Sequence, residues 1–331
     1  MPLDLAPLDR ASKLLITAEL RPVQGQRFQP TGFPDLGAAR FDRYDESSGD
    51  WVSCLVVESP QSMANRLEGT AWDDLEDRPV ALFDGLPYVR VLRDDGSYVT
   101  SSRTEAHRLA SAFIKDATLD GKDMKEVIKD RLGLSEDKPL ASREIAEAVF
   151  RLDPFCLLHG VFFAESARVW PGQPKIARAV SAAIDAIDVR AAELGGVKRD
   201  HVRHSIGETG GSSEGFGTIP FHRTEWTARR ITASFTVDRA QIRSYGLSDA
   251  ATNLLDAIAR WEIRSLLDSP MRLRTACDLE ALSAEFVDER SGERLATLEE
   301  LTSEVRDGIS ACSGLIGTGE PIEVLWAPRK R

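Results

Sequence analysis

The chain has 331 residues, of which 42% are hydrophobic and 7% aromatic, an ordinary balance for a folded globular protein. Its longest charge-free stretches, Pro154–Ala164 and Gly308–Gly319, are 11 and 12 residues long, against the roughly 20 apolar residues that a membrane-spanning helix needs. The net charge of −11 disfavours a nucleic-acid partner on average, but it is unevenly placed: Lys138–Thr275 holds 19 basic and 16 acidic residues, so a centre of +3 lies between flanks that together carry −14.

In chain order, Lys13–Leu20 and Val52–Val57 alternate like half-buried strands. Ser59 is placed to cap a helix whose first residue is Pro60. Tyr88–Leu92 reads as a strand that turns at Asp95-Gly96 in a two-residue hairpin and returns through Tyr98–Ser101. Ala106, Leu109, Ala110, Phe113 and Ile114 follow helical spacing, as do Ile176, Val180, Ile184, Ile187 and Ala191. Between these lies Leu157–Ala164, read as an apolar strand, and residues 115–140, charged, mainly helical by pattern and peripheral. Ile231–Asp238 has the clearest strand alternation. Ser248 is a candidate N-cap for a helix with Ala251, Leu254, Leu255, Ile258 and Trp261 on its core face, stopped before Pro270. Met271–Asp278 reads as one strand with Arg272 and Arg274 on its outward face, followed by a second charged, mainly helical segment, residues 279–310. This mixed order predicts an α+β fold around one sheet, as a single domain across 1–331 with insertions.

The opening residues lack a basic segment and an apolar core, so a secretory signal is not expected and the compartment is expected to be the cytoplasm, with no membrane partner. Cys54, Cys156, Cys277 and Cys312 lie dozens of residues apart with no C-x-x-C pair, which speaks for buried side chains. Residues 195–230 form the most unusual stretch, too rich in glycine for a regular helix. They include Lys198, Arg199, Arg203, Arg223, Arg229 and Arg230 together with His201, His204 and His222. Such an extended excursion brings backbone N–H groups and cations to a phosphate. Gly207–Gly217 lacks the lysine of a phosphate-binding P-loop, and the histidines lack an H-E-x-x-H pattern, so neither nucleotide hydrolysis nor a metal site is expected. Cys156 and His159 lie in an apolar run and read as core. The N-terminus of the helix at Pro60, with Gln61, Ser62, Asn65 and Arg66 around it, offers free N–H groups to a backbone phosphate.

Several long strings carry a resemblance: RFQPTGFPDLGAARF (Arg27–Phe41), ESPQSMANRLE (Glu58–Glu68), LDPFCLLHGVFFA (Leu152–Ala164), GGVKRDHVRHSI (Gly195–Ile206), GFGTIPFHRTEWTA (Gly215–Ala228), and RSYGL with LLDAIARWEI. From about Arg27 to Leu279 the chain resembles the RAMP-superfamily backbone subunit of the type I-G, formerly I-U, CRISPR effector. The resemblance implies an RNA-recognition-motif-like (ferredoxin-like) palm with inserted fingers and a thumb, the thumb falling at 195–230. It implies copies that polymerise along CRISPR RNA, a guide that pairs with a target DNA strand, other Cascade subunits as partners, and DNA cutting by a separate helicase-nuclease. The subunit is then non-catalytic and needs no cofactor. Under this reading the RNA-binding residues are Gln61, Ser62, Asn65 and Arg66 at the helix, Lys198, Arg199, His201, Arg203, His204, His222 and Arg223 in the excursion, and Arg272 and Arg274 on a sheet face. Base stacking on the sheet is not expected, because Ile231–Asp238 and Met271–Asp278 turn Thr, Ser and Arg outward. Two other readings remain: a RAMP-type endoribonuclease using a loop aspartate, Asp35 or Asp200, and an enzyme holding a small phosphorylated ligand at Gly207–Gly217.

Overall fold

The computed structural model describes residues 12–33, 37–166, 168–199 and 218–328. Its centre is a seven-stranded antiparallel sheet. In chain order the strands are β1 (Lys13–Pro22), β2 (Arg40–Asp45), β3 (Asp50–Glu58), β4 (Val180–Arg199), β5 (Thr218–Asp238), β6 (Met271–Arg274) and β7 (Cys277–Ala281). They lie side by side as β6-β7-β1-β5-β4-β3-β2. Leu14, Ile16, Ala18 and Leu20 of β1 and Ile231, Ala233, Phe235 and Val237 of β5 are all buried, and the register Leu14↔Val237 to Leu20↔Ile231 sets the two apolar rows on one face.

Two helices cover that face: α1 (Pro60–Gly69) packs on β4, α2 (Asp249–Asp268) packs on β5 and β7, and the two touch each other. Both start where expected. Ser59 Oγ accepts the Ser62 N–H at 3.3 Å with Pro60 at the first position, and Ser248 Oγ accepts the Ala251 N–H at 3.3 Å. A third helix, α3 (Leu298–Ala311), lies against α2 and opens with a capping box between Thr297 and Glu300.

Several sequence expectations are corrected. The spacing of Ile176 to Ala191 belongs to β4 rather than a helix: Val180, Ala182, Ile184 and Ala186 are buried alternately. Beyond Asp188, with φ 56°, the arm takes over, and the added burial of Ile187 and Val189 around this kink explains the mixed periodicity. Leu157–Ala164 is not a strand. A short helix, Phe155–His159, ends at Gly160 with φ 83°, and only Val161–Phe162 is extended. Met271–Asp278 is not one strand but the hairpin β6-β7, turned at Ala276 with φ 59°. The helix over Ala106–Ile114 is split into Arg108–Ala110 and Ala112–Lys115 by Ser111, whose Oγ caps the Phe113 N–H at 3.2 Å. Within residues 115–140, past the last residue of the preceding helix, Met124–Arg131 are helical, after the small hairpin Thr118–Leu119 and Lys122–Asp123. Of residues 279–310, the helical part is α3 alone.

A second sheet of five strands holds Val89–Leu92 between Tyr98–Ser101 and Ile322–Leu325, the last pairing in parallel. The turn at Asp94-Asp95-Gly96 has three residues rather than two: Gly96 N–H donates to the Arg93 carbonyl at 2.9 Å, and Gly96 takes φ 82°. All four cysteines are buried and unpaired.

Beyond the core, β4 and β5 continue as a two-stranded arm from Val189↔Ala228 to Arg199↔Thr218. Among the described residues, one strand-like bridge from elsewhere reaches it, Phe28↔Trp226. Eleven residues per strand, ten steps along it, carry the arm roughly 33 Å. His201, Arg203, His204, Asp200 and Gly207–Gly217 lie outside the described residues, as does Asp35.

Candidate nucleic-acid interface

After β1 the chain crosses the root of this arm. The Val23 N–H donates to Asp278 at 2.9 Å, Phe28 and Trp226 exchange two bonds of 2.9 Å, Gln29 N–H donates to Ala276 at 2.8 Å and Thr31 N–H to Val57 at 3.1 Å. This crossing ties β7, β5 and β3 together, with Phe28 completely buried beneath it. On its outer side is a hollow of about 530 Å³ whose charged lining is Arg27, Arg223, Arg272, Arg274, Glu225 and Asp278. Glu225 is almost fully buried and draws Arg27 at 3.5 Å and Arg223 toward it. One buried carboxylate therefore orients two half-exposed guanidiniums, while Arg272 is exposed and takes no side-chain partner among those described. Four arginines against two carboxylates leave the hollow positive.

Glu58 anchors a second cluster. Its carboxylate is buried, faces Arg66 Nε at 3.6 Å and is bonded by Arg274. Arg274 also donates to the carbonyls of Gln29 at 3.1 Å and Val57 at 3.0 Å. Arg66 reaches from α1 to the carbonyl of Leu273 at 2.5 Å. Burial pushes the Arg66 guanidinium below its ordinary pKa. These two arginines lash α1 and β3 to the β6-β7 hairpin, and their donors are turned largely toward protein.

The expected residues therefore fall into groups. Arg223, Arg272 and Arg274 meet in one hollow. His222 and Arg223 line its neighbour of about 570 Å³, with Gln29, Thr31 and Trp226; His222 sits 2.9 Å from Glu193 and is exposed. Arg66 joins through Leu273 and Glu58. Gln61 and Asn65 are exposed on α1, and Ser62 spends its N–H on the cap. Lys198 is exposed far out on the arm opposite Ile219. Arg27 was not among the expected residues, although Gln24-Gly25-Gln26-Arg27, a polar run between the end of β1 and an apolar Phe28, is the signal that marks it. Among the described residues no three His, Cys, Asp or Glu side chains are grouped to hold a metal, and no helix is long and apolar enough to cross a membrane.

The sequence model of the family described as "CRISPR-associated protein GSU0053 (Cas_GSU0053)" matches residues 14–191, more than half of the chain. The chain belongs to this CRISPR-associated family. Of solved structures, a chain described as "CRISPR RNA-guided surveillance complex, pre-nicking" is similar over 81% of this chain and 74% of that one, at 13% identity and a TM-score of 0.40. No curated protein matches. In this CRISPR-associated protein the matched stretch contains the crossing segment, Glu58 and α1, while Arg223 and the β6-β7 hairpin come from the remainder of the chain.

Proposed function

We propose that this CRISPR-associated protein is a non-catalytic guide-RNA-binding subunit of the RAMP superfamily, of type I-G. Copies of it polymerise along CRISPR RNA and hold the guide for pairing with a target DNA strand, beside other Cascade subunits. A separate helicase-nuclease cuts the DNA. The observation that carries this reading is the positive hollow at the root of a projecting hairpin, with Arg27, Arg223 and Arg272 directed there. The order β1-α1-β4-β5-α2-β7, with β7-β1-β5-β4 adjacent in the sheet, supports an RNA-recognition-motif-like palm. The arm fits the thumb. Gln29 Oε1 is buried beside His222 and Arg223 with no hydrogen-bond partner among the described residues, and a ribose 2′-hydroxyl is a donor suited to it.

In this arrangement the protein grips backbone and shape, and base pairing reads sequence. The protein purified with a co-expressed CRISPR array is expected to show a high 260/280 nm absorbance ratio and to yield a discrete guide-length RNA from a large particle. A nucleic-acid-free monomer with and without the array would overturn the reading. Incubating the RNA-loaded particle with complementary RNA and Mg²⁺ checks the non-catalytic part, since regularly spaced cuts would assign it to an endoribonuclease.

A further inference from the structure

A separate groove of about 570 Å³ lies where the chain enters β4, and among the described residues no acidic side chain lines it. Its walls are the cross-strand pair Phe162↔Lys175 together with His107, Arg108, His159 and Arg178. Gly160 makes the pairing geometry available: at φ 83° its missing Cβ would stand 2.9 Å from the Ile176 carbonyl. Phe162 is 47% exposed, and Lys175 Nζ lies 5.7 Å from its ring centroid. Arg108 is neutralised by Glu68, which it grips with two bonds of 2.6 Å. Lys175 and Arg178 are left as the groove's uncompensated cations. Arg178 donates to the Pro60 carbonyl at 3.2 Å, so the groove adjoins the N-terminal end of α1, beside exposed Gln61.

The His159 side chain is wholly enclosed, its Nε2 3.0 Å from both oxygens of buried Glu262, so what the groove offers a ligand is Phe162, Lys175 and Arg178.

We infer that this groove docks one nucleotide of a single-stranded RNA, with the base laid on Phe162 and the phosphate between Lys175 and Arg178. An exposed aromatic ring beside cations, with no carboxylate on the walls, is the arrangement by which single strands are held without sequence preference. The Ile231–Asp238 part of β5 turns Thr, Ser and Asp outward and offers no such stacking surface. The inference rests on the guide-binding reading and adds to it a second station, on the other side of α1 from the Arg66–Arg274 clamp.

Purified protein and a synthetic guide-length RNA carrying 4-thiouridine, irradiated and digested for mass spectrometry, test it. A crosslink to the peptide containing Phe162 is expected, together with about 5- to 100-fold weaker binding for Phe162→Ala. Lys175→Ala with Arg178→Ala is expected to reduce the slope of log affinity against log salt by about 1.4. Phe162 and Lys175 are exposed, so Phe162→Leu and Lys175→Ala alone, with unchanged melting temperatures, separate lost binding from lost folding. Retained RNA with crosslinks confined to peptides around Arg27, Arg223 and Arg272, and an unaltered affinity of Phe162→Ala, overturns the groove while the guide-binding reading stands. That result assigns the groove to another occupant, such as an acidic peptide. Wild-type protein that takes up no RNA at all overturns the underlying reading instead.

Discussion

Glu58 shows how a single side chain joins fold and site. Its buried carboxylate holds Arg66 of α1 and Arg274 of β6, and the same two arginines cap carbonyls of β3, the crossing segment and the hairpin. Glu58→Ala strands two partly buried cations and is expected to cost about 3 kcal/mol in urea unfolding, with an unchanged midpoint contradicting the clamp. His159 gives a pH signature. Burial pulls its imidazole down, but the Glu262 carboxylate and, further off, Glu68 outweigh this and leave the group above its ordinary pKa of 6.5. A raised folded-state value means stability present in full below the unfolded value and lost as pH rises through the folded one. Protein stability is therefore expected to fall as pH climbs upward from about 6.5, and His159→Gln is expected to abolish that part of the slope.

Elements set by short-range chemistry were legible in the sequence, and elements set by distant partners were not. Gly160→Ala makes the point as a test. With φ 83° and a backbone oxygen 2.9 Å from the new Cβ, the substitution is expected to cost about 1–3 kcal/mol and to lower the melting temperature. Nothing in the LHGVFF string announces that constraint, because the obstructing Ile176 carbonyl arrives from a different segment. Ser59-Pro60 and Ser248 announce α1 and α2, since a cap needs only its own first turn. The Thr297–Glu300 box behaves likewise: Thr297→Ala is expected to cost about 1 kcal/mol of α3. Backbone and side-chain bonds from Thr297 hold the Glu300 carboxyl down at about 2. A lowered value gives stability that is present above 4.5 and lost as pH falls toward about 2, measurable as helical signal on acid titration. The alternation of Ile231–Val237 announces β5, yet β4 carries apolar residues at both periods and only its pairing with β5 decides between them. At the site, Arg272 and Arg274 were legible as charges on an alternating segment. Arg27 is marked in the sequence only by the polar run before Phe28; its place at the hollow depends on Glu225, which lies on the arm almost 200 residues away in sequence.

At the scale of the molecule, charge is sorted rather than abundant. The net of −11 conceals a central region of +3, and Arg27, Arg223 and Arg272 gather at one hollow. Replacing these three by alanine is expected to weaken RNA binding and reduce its salt slope by about 2, at roughly 0.7 per cation for a single strand. Equal slopes for the two proteins would place the contacts elsewhere. The sheet order carries a last consequence. β1 takes its long partner from Ile231–Asp238 and its other neighbour from Leu279–Ala281. At ~5–20 residues per second, a ribosome needs on the order of 10–40 s to make what lies between. Throughout that interval the nascent chain exposes an apolar row, Leu14, Ile16, Ala18 and Leu20, with both edges open. The waiting strand is a natural substrate for a holding chaperone, and low-temperature, slow-induction synthesis is expected to change the soluble yield more than any surface substitution.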